Sequence, residues 1–437
     1  MKFFVAGSTD FFAILLLLPA VQSAIVPTPE QGSPGRVPGR PFPGFPPRPP
    51  RPSGSSVAIQ SSSNVGPTPA PSSASATGPS PTTEVQFGQI GTLIVLPTPL
   101  VADGLKPIPG NLDPAHPFIA PKPGDQRGPA MNTLANHGYI PRNGITSFEQ
   151  AVSGMMEAFN LEVHFAAGLA ATSFVTRGNP FANKISIGGD SPLVPPLPGN
   201  IDGQTTGGIA KHGRFEGDSS LSRADAFIGN NRDFQQKVFN LDLAQLAKFG
   251  DDGPDGPHTV INVRTLVEMD KAQFAADQKA NRKFALPARR MFAAYGQAAL
   301  VMSVFANGTT NQTTLPIINS FFRDEKFPPN WYRAAAPIVG ATNSKISGQI
   351  AAAIPTKPGK NNVKGVYIPD PAPPAPFNSS LPCAGYLDQS NNTPHVLQNV
   401  TGIFKKNVDL MTGLLFAVAN ANPGCTQFAP PAGPTGV

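Results

Sequence analysis

The sequence is poor in charged residues and in cysteine. Only 14% of its 437 residues are charged, and the net charge is +6 with no block of five like charges. Nucleic-acid binding needs a concentrated basic surface, so this mild and scattered charge argues against a nucleic-acid partner. Beyond the N-terminus, no stretch reaches the roughly 18 apolar residues that a membrane helix requires. We therefore expect no membrane span.

Residues 1–24 are typical of a secretory signal peptide. Lys2 supplies the positive end, residues 11–18 form the apolar stretch, and Ser23 and Ala24 are the small residues of a cleavage site. Acceptor motifs for N-glycosylation, which takes place in the secretory route, stand at Asn307, Asn311, Asn378, Asn391 and Asn399. We therefore predict a secreted, extracellular glycoprotein.

The two cysteines, Cys383 and Cys425, are the only thiols of the chain. In an oxidising compartment, an even pair far apart in sequence predicts a disulfide. Closing a loop of about 43 residues would stabilise the fold by roughly 4 kcal/mol in the chain-entropy model. Two free thiols are the alternative.

Proline is abundant, with 52 residues, and most of the excess lies early in the chain. Residues 25–110 are rich in Pro, Ser and Gly. Such a composition buries too little apolar surface to offset the entropy lost on ordering, so we predict that this segment is disordered.

From residue 111 onward the pattern is helical. Thr146 to Glu149 matches a capping box, and apolar residues then recur at three- and four-residue spacing. Further helices are predicted at residues 233–249, 258–279, 287–305, 315–324, 344–353 and 397–420. Strand-like alternation is scarce. We predict one all-α domain over residues 111–430, with long loops.

Four segments of this domain resemble a known family. They are RGPAMNTLANHG at 127–138, HGRFEGDSS at 212–220, RMFAAYGQ at 290–297, and the pair of cysteine segments at 383 and 425. In this order and spacing they resemble the fungal haem-thiolate peroxidases and peroxygenases, which are related to chloroperoxidase. The resemblance implies a helical oxidoreductase that uses hydrogen peroxide to oxidise or halogenate small organic substrates. It also implies that Cys383 and Cys425 form the family's structural disulfide.

The haem ligand that the resemblance implies is missing. In the family, a Cys-Pro pair follows Arg-Gly-Pro, and its thiolate binds the iron of haem b, where it favours O–O cleavage. Here Pro129 is followed directly by Ala130 and Met131. The chain therefore lacks the sulfur ligand, and its haem binding is in question.

The peroxide-handling pair that the resemblance implies is also altered. In the family, an Arg and a Glu seven residues apart on a distal helix stabilise charge and move a proton. Arg290 is present, but the Glu position is Gln297. An amide cannot take up and return a proton near neutral pH. Seven-residue spacing keeps both side chains on one helix face, so we expect them to share a pocket.

The resemblance implies a magnesium site beside a haem propionate, formed by Glu216, the Gly217 carbonyl and the Ser220 hydroxyl. Oxygen ligands suit Mg²⁺. Phe215 corresponds to an aromatic residue of the haem channel. A polar turn before a helix is the alternative interpretation of this segment.

His137 is a candidate cofactor contact because histidine is a common haem ligand. The resemblance favours a structural hydrogen bond for it, with His164 and Met131 as weaker candidate ligands.

Three hypotheses follow. The chain is an impaired or inactive family member, an active haem peroxidase with another ligand or an unreported Cys-Pro pair, or a non-catalytic secreted glycoprotein.

Overall fold

The structure, a computed structural model, describes residues 91–99, 114–123, 125, 131–197, 207–398, 400–420 and 425. The predicted signal peptide at 1–24, residues 25–90 of the predicted disordered segment, and residues 126–130 lie outside the described residues.

The described part is mainly helical. Its α-helices are α1 (Met131–Asn136), α2 (Phe148–Phe159), α3 (Val163–Arg177), α4 (Gln236–Phe249), α5 (Val263–Ala280), α6 (Ala288–Ser303), α7 (Leu315–Ile318), α8 (Gly340–Ala353), α9 (Leu381–Asn391) and α10 (Gly402–Asn420). None of these described helices is long and apolar enough to cross a membrane.

Capping residues decide where several helices begin. Ser147 caps α2, and its side chain and that of Gln150 form a capping box with each other's backbone. The capping box is therefore confirmed, one residue later than predicted. The Glu162 carboxylate caps α3 by accepting from two backbone N–H groups, and the Asn262 side chain caps α5. These bonds satisfy donors that the first helical turn leaves unpaired.

The prediction of an all-α domain is confirmed as a mainly helical one, and short antiparallel strands accompany the helices. The described strands are β1 (Ile145–Thr146), β2 (Ile185–Ser186), β3 (Asp251–Gly253), β4 (Gly256–Val260), β5 (Ala285–Leu286), β6 (Gly359–Asn361) and β7 (Tyr367–Pro369). Their sheets are β1-β2, β3-β4 and β5-β6-β7. With two to five residues each, they are too short to show alternation in the sequence.

Several predicted helix ends were wrong. The helix predicted at 258–279 begins only at Val263, because Gly256–Val260 pairs as β4. The segment predicted at 315–324 is α7 followed by a π-helical turn, Asn319–Arg323. The segment predicted at 397–420 has a 3₁₀ turn, His395–Leu397, before α10.

Helix α6 lies at the centre of the described domain, where it packs against α5, α8 and α9. Helix α10 packs against α3 and also against α9. The buried apolar residues form one cluster that contains Trp331, whose indole donates to the Phe305 carbonyl at 2.9 Å. This packing holds the first turn of α6 against the loop of residues 207–235.

Candidate active site

The segment that carries Glu216 is a tight loop. The Gly213 N–H donates to the Glu216 carbonyl at 3.1 Å, and Gly213 has a φ of 119°, which favours glycine. The turn brings His212 back over Glu216, so that His212 Nδ1 lies 2.8 Å from Glu216 Oε2. The Glu216 side chain is only 9% exposed. Its carboxylate is therefore paired with an imidazole.

Arginine side chains surround this loop. Arg177, in the last turn of α3, donates to the His212 carbonyl at 2.7 Å. Arg290 Nε and Arg289 both donate to the Gly213 carbonyl, at 2.8 and 3.1 Å. Arg289 also forms an ion pair of 2.8 Å with Asp388.

The charge of this arginine cluster is only partly balanced. Burial, followed by the repulsion of Arg214, Arg290 and Arg289, lowers the pKa of Arg177 to about 9. Burial and the neighbouring Arg289 lower the pKa of Arg290 to about 10. Both side chains remain protonated near neutral pH. The site is therefore a buried cationic region with Glu216 among its few carboxylates.

Gly217 allows the loop to lie against Arg290. A Cβ atom built at Gly217 would stand 2.7 Å from Arg290 Cδ, closer than real Cβ contacts. Any larger residue would displace the Arg290 side chain or the loop.

Buried carboxyl groups hold the rest of the loop. Asp218 Oδ2 accepts from the Ala285 N–H at 2.8 Å, and Asp225 accepts from the Ser219 N–H at 2.9 Å and from Asn281 at 2.9 Å. Ser219 has a φ of 69°. Burial, followed by repulsion from Asp225, raises the pKa of Asp218 to about 6. Asp218 is therefore a backbone anchor rather than part of the predicted oxygen set.

The structure gives the magnesium prediction no support. Glu216 is paired with His212, and the Ser220 hydroxyl accepts from the Ser222 N–H at 3.4 Å. Within the described ranges, no group of three or more His, Cys, Asp or Glu residues could hold a metal ion. Phe215, next to Glu216, is half-buried and packs against the apolar core.

Arg290 and Gln297 both lie on α6, but their surroundings differ. Arg290 is 5% exposed, and its guanidinium also reaches the Ala285 carbonyl at 3.2 Å and His212 Nε2 at 3.5 Å. Gln297 is exposed, and a Cβ built at the adjacent Gly296 meets no atom within 4 Å. The described contacts direct the Arg290 guanidinium toward the loop, and a pocket shared with Gln297 stays a prediction.

His137 is buried, and both nitrogens of its ring are engaged. Nδ1 lies 3.0 Å from the His116 carbonyl, and Nε2 accepts from the Phe327 N–H at 3.3 Å. These contacts leave neither nitrogen for an iron ion. His164 is exposed on α3, and Met131 is the half-buried first residue of α1. Residues 127–130, the segment in which the resemblance implies a Cys-Pro pair, lie outside the described residues.

The predicted disulfide is confirmed. Cys383, in the first turn of α9, is bonded to Cys425, with their Cα atoms 5.2 Å apart. Because the sequence contains only these two cysteines, the chain has no free thiol.

The sequence did not predict the pairing of Glu216 with His212 or the arginine side chains around this loop. His212 was present in the same motif, four residues earlier, and could have been considered as an ion-pair partner. Arg177 and Arg289 gave no comparable signal, since each arrives from a distant helix.

Comparison with known proteins places these features in a family context. The family model described as "Peroxidase, family 2" matches residues 116–336. The chain is 32% identical over 327 residues to an aromatic peroxygenase of Cyclocybe aegerita, covering 73% of this chain and 82% of the relative. It is 30% identical over 251 residues to an aromatic peroxygenase of Coprinellus radians, covering 53% and 90%. It is also 30% identical over 249 residues to the aromatic peroxidase fscJ of Fusarium equiseti, covering 50% and 54%.

Proposed function

The chain belongs to the fungal haem-thiolate peroxidases and peroxygenases, peroxidase family 2, and from this premise we propose that it is a family member impaired in peroxide-dependent oxidation of organic substrates. The one observation that carries the proposal is the disulfide between Cys383 and Cys425, which consumes all the sulfur available for a thiolate. In haem-thiolate enzymes, that sulfur pushes electron density onto the iron and favours O–O cleavage. The residues of this chain do not fit a thiolate-bound haem.

The second support for the proposal is the amide at Gln297. A positioned acid–base group typically contributes about 10²–10⁴-fold to the rate, and an amide cannot replace it. Arg290 gives no compensation, because its guanidinium is engaged by the Gly213 and Ala285 carbonyls. The sulfur ligand and the proton carrier both act in the cleavage of peroxide, so the two losses impair the same reaction.

The arginine cluster bears on whether any haem is retained. Haem b carries two propionate carboxylates, and the guanidinium groups of Arg177, Arg214 and Arg290 would offset such charges without a metal ion. The proposed function therefore does not require magnesium. Haem binding without a sulfur ligand is compatible with this proposal, and efficient peroxygenase turnover is not.

Secretion is part of the proposal and rests on the sequence of residues 1–24. Two of the predicted glycosylation sites, Asn307 and Asn311, lie in one tight surface turn, and Asn311 is exposed. Mass spectrometry of protein from the culture medium should give a chain beginning after Ala24. Recovery of full-length chain only inside the cell would contradict the proposal.

The decisive experiment compares the native chain with chains that carry a dipeptide between Pro129 and Ala130. Each is reconstituted with haem, reduced and exposed to carbon monoxide. The red-shifted Soret band of a thiolate complex should appear with a Cys-Pro insertion and be absent from the native chain. A Ser-Pro insertion of equal length is the matched control, because it restores the spacing without sulfur.

Activity is then measured as peroxide-dependent oxidation of an aromatic alcohol. The Cys-Pro insertion combined with Gln297→Glu should be the most active, and each change alone should give less. A thiolate-type band or rapid turnover by the native chain would refute the proposal. Tight haem binding by the doubly restored chain without increased turnover would show that one of the two positions is wrongly assigned.

A further inference from the structure

A cavity of about 160 Å³ lies between α5 and α6, with Ser219 of the Glu216 loop at one side. On α6 it is lined by Ala294 and Tyr295. Tyr295 and Gln297 are two positions apart and therefore project from different sides of the helix. Ala294, by contrast, lies four positions after Arg290 and three before Gln297 and shares their side of the helix. The cavity therefore adjoins that face, but none of the residues that line it has a role in the proposed function.

The cavity contains a buried carboxyl group without a counter-charge. Asp270 of α5 is 7% exposed, and its Oδ2 atom is buried with no hydrogen-bond partner among the described residues. Lys271 also lines the cavity, but its ammonium group donates to Glu268 at 3.1 Å rather than to Asp270. On the adjacent helix α4, Asp242 is acidic as well and bonds to Gln273. Leaving a buried polar atom unpaired is unfavourable, and a ligand that pairs with it recovers that loss.

Tyr295 provides a second polar group beside Asp270. Tyr295 and Asp270 line the same cavity, and burial, followed by the charge of Asp270, raises the pKa of the Tyr295 phenol. Phe274, Leu286 and Ile354 supply apolar walls. Ser219, Lys271 and Thr356 complete the lining. A cavity with apolar walls, an unpaired carboxyl group and a phenol suits a ligand with a hydrocarbon body and one cationic donor group.

The size of the cavity limits the ligand. A cavity of about 150 Å³ holds a benzene ring. From these observations, we propose that the cavity between α5 and α6 binds a small primary amine with an aromatic or compact hydrocarbon body, its ammonium group paired with Asp270 and Tyr295. Such a ligand supplies the positive charge that Asp270 lacks and fills the apolar walls.

Pairing with an ammonium group should also change the protonation of Asp270. Burial alone raises the pKa of Asp270 to about 8, so the free carboxyl is protonated near neutral pH. An ammonium ion favours the carboxylate, and binding should therefore release a proton from Asp270. The heat of binding should then change with the ionisation enthalpy of the buffer.

Isothermal titration calorimetry of the full chain with benzylamine tests the proposal. The native protein should bind benzylamine, and Asp270→Asn should weaken binding by about 10- to 100-fold, which is the range for a lost charged hydrogen bond. Benzyl alcohol, a neutral probe of the same size, should bind the native protein more weakly and respond little to Asp270→Asn. Asp255→Asn, at an exposed carboxylate in the β3–β4 turn, is the matched control and should bind like the native protein.

A second variant tests the location independently of the charge. Ala294→Leu should fill the cavity and abolish benzylamine binding while Asp270 is kept, with the far-ultraviolet circular dichroism spectrum unchanged. Three results would overturn the proposal. They are no binding by the native protein, equal benzylamine affinity of the native and Asp270→Asn proteins, and equal native affinity for benzylamine and benzyl alcohol.

Discussion

Replacing Asp270 by asparagine should stabilise the protein, and the gain should increase with pH. The amide matches the shape of a neutral carboxylic acid and keeps a hydrogen-bond donor, but it cannot ionise. Burial is the cause of the raised pKa of Asp270, which is about 8 in the folded chain against an ordinary value of 3.8. The variant therefore removes one ionisable group with little change in packing.

The direction of the pH dependence follows from how strongly Asp270 binds a proton in the folded and in the unfolded chain. Below pH 3.8 the Asp270 carboxyl is protonated in both the folded and the unfolded chain, so it adds no pH-dependent cost. Between pH 3.8 and about 8 the unfolded chain has lost this proton and the folded chain retains it. Each pH unit in that window lowers the free energy of unfolding of the native protein by about 1.4 kcal/mol. Above the folded pKa the loss is complete.

Asparagine at position 270 is free of this penalty. The difference in unfolding free energy between the variant and the native protein should grow by up to about 4 kcal/mol from about pH 4.5 to about pH 7.5. Asp277 is also a buried acid with a raised pKa, but Asp270 does not contribute to that shift, so Asp277 cancels in the difference. The pKa of Asp242 is raised mainly by burial, which both proteins share, and the smaller contribution from the charge of Asp270 is lost in the variant.

Urea denaturation at several pH values, followed by circular dichroism, measures this difference. Asp255→Asn, which changes an exposed carboxylate, should give a difference that stays flat with pH. A flat difference for Asp270→Asn would refute the reasoning, because it would mean that the Asp270 carboxyl ionises in the folded chain as it does in the unfolded one.

Three further predictions concern stability. Replacing both Cys383 and Cys425 by serine should lower the free energy of unfolding by roughly 4 kcal/mol, given their sequence separation of 42, and an unchanged urea midpoint would contradict this estimate. Trp331→Ala should cost about 3–5 kcal/mol, because Trp331 is 1% exposed in the aromatic core, and a calorimetric loss below about 1 kcal/mol would show that the cavity collapses. Ser147→Ala should cost about 1 kcal/mol through loss of the α2 cap, with Ser147→Thr as the tolerated control in thermal melts.

The sequence by itself was sufficient for the features that depend on residue type and local spacing. Apolar residues at helical intervals located most of the helices, and the only two cysteines identified the disulfide. The absence of a third cysteine and the amide at Gln297 are likewise facts of composition and need no coordinates. Signals of this kind depend only on the residue types within a short segment, so they can be recognised without the tertiary structure.

Tertiary structure decided everything that depends on distant partners. Ile145–Thr146 forms a strand because it pairs with Ile185–Ser186. A segment of two residues is too short for its sequence to predict that pairing. Seven-residue spacing predicts Arg290 and Gln297 on one helix face, but only the tertiary structure shows that the Arg290 guanidinium donates to the Gly213 carbonyl, 77 positions away in the sequence. The cost of burying Asp270 arises only when α4 and α6 cover α5. Long-range contacts determine the burial and the partners of a charged group, and through them its chemistry.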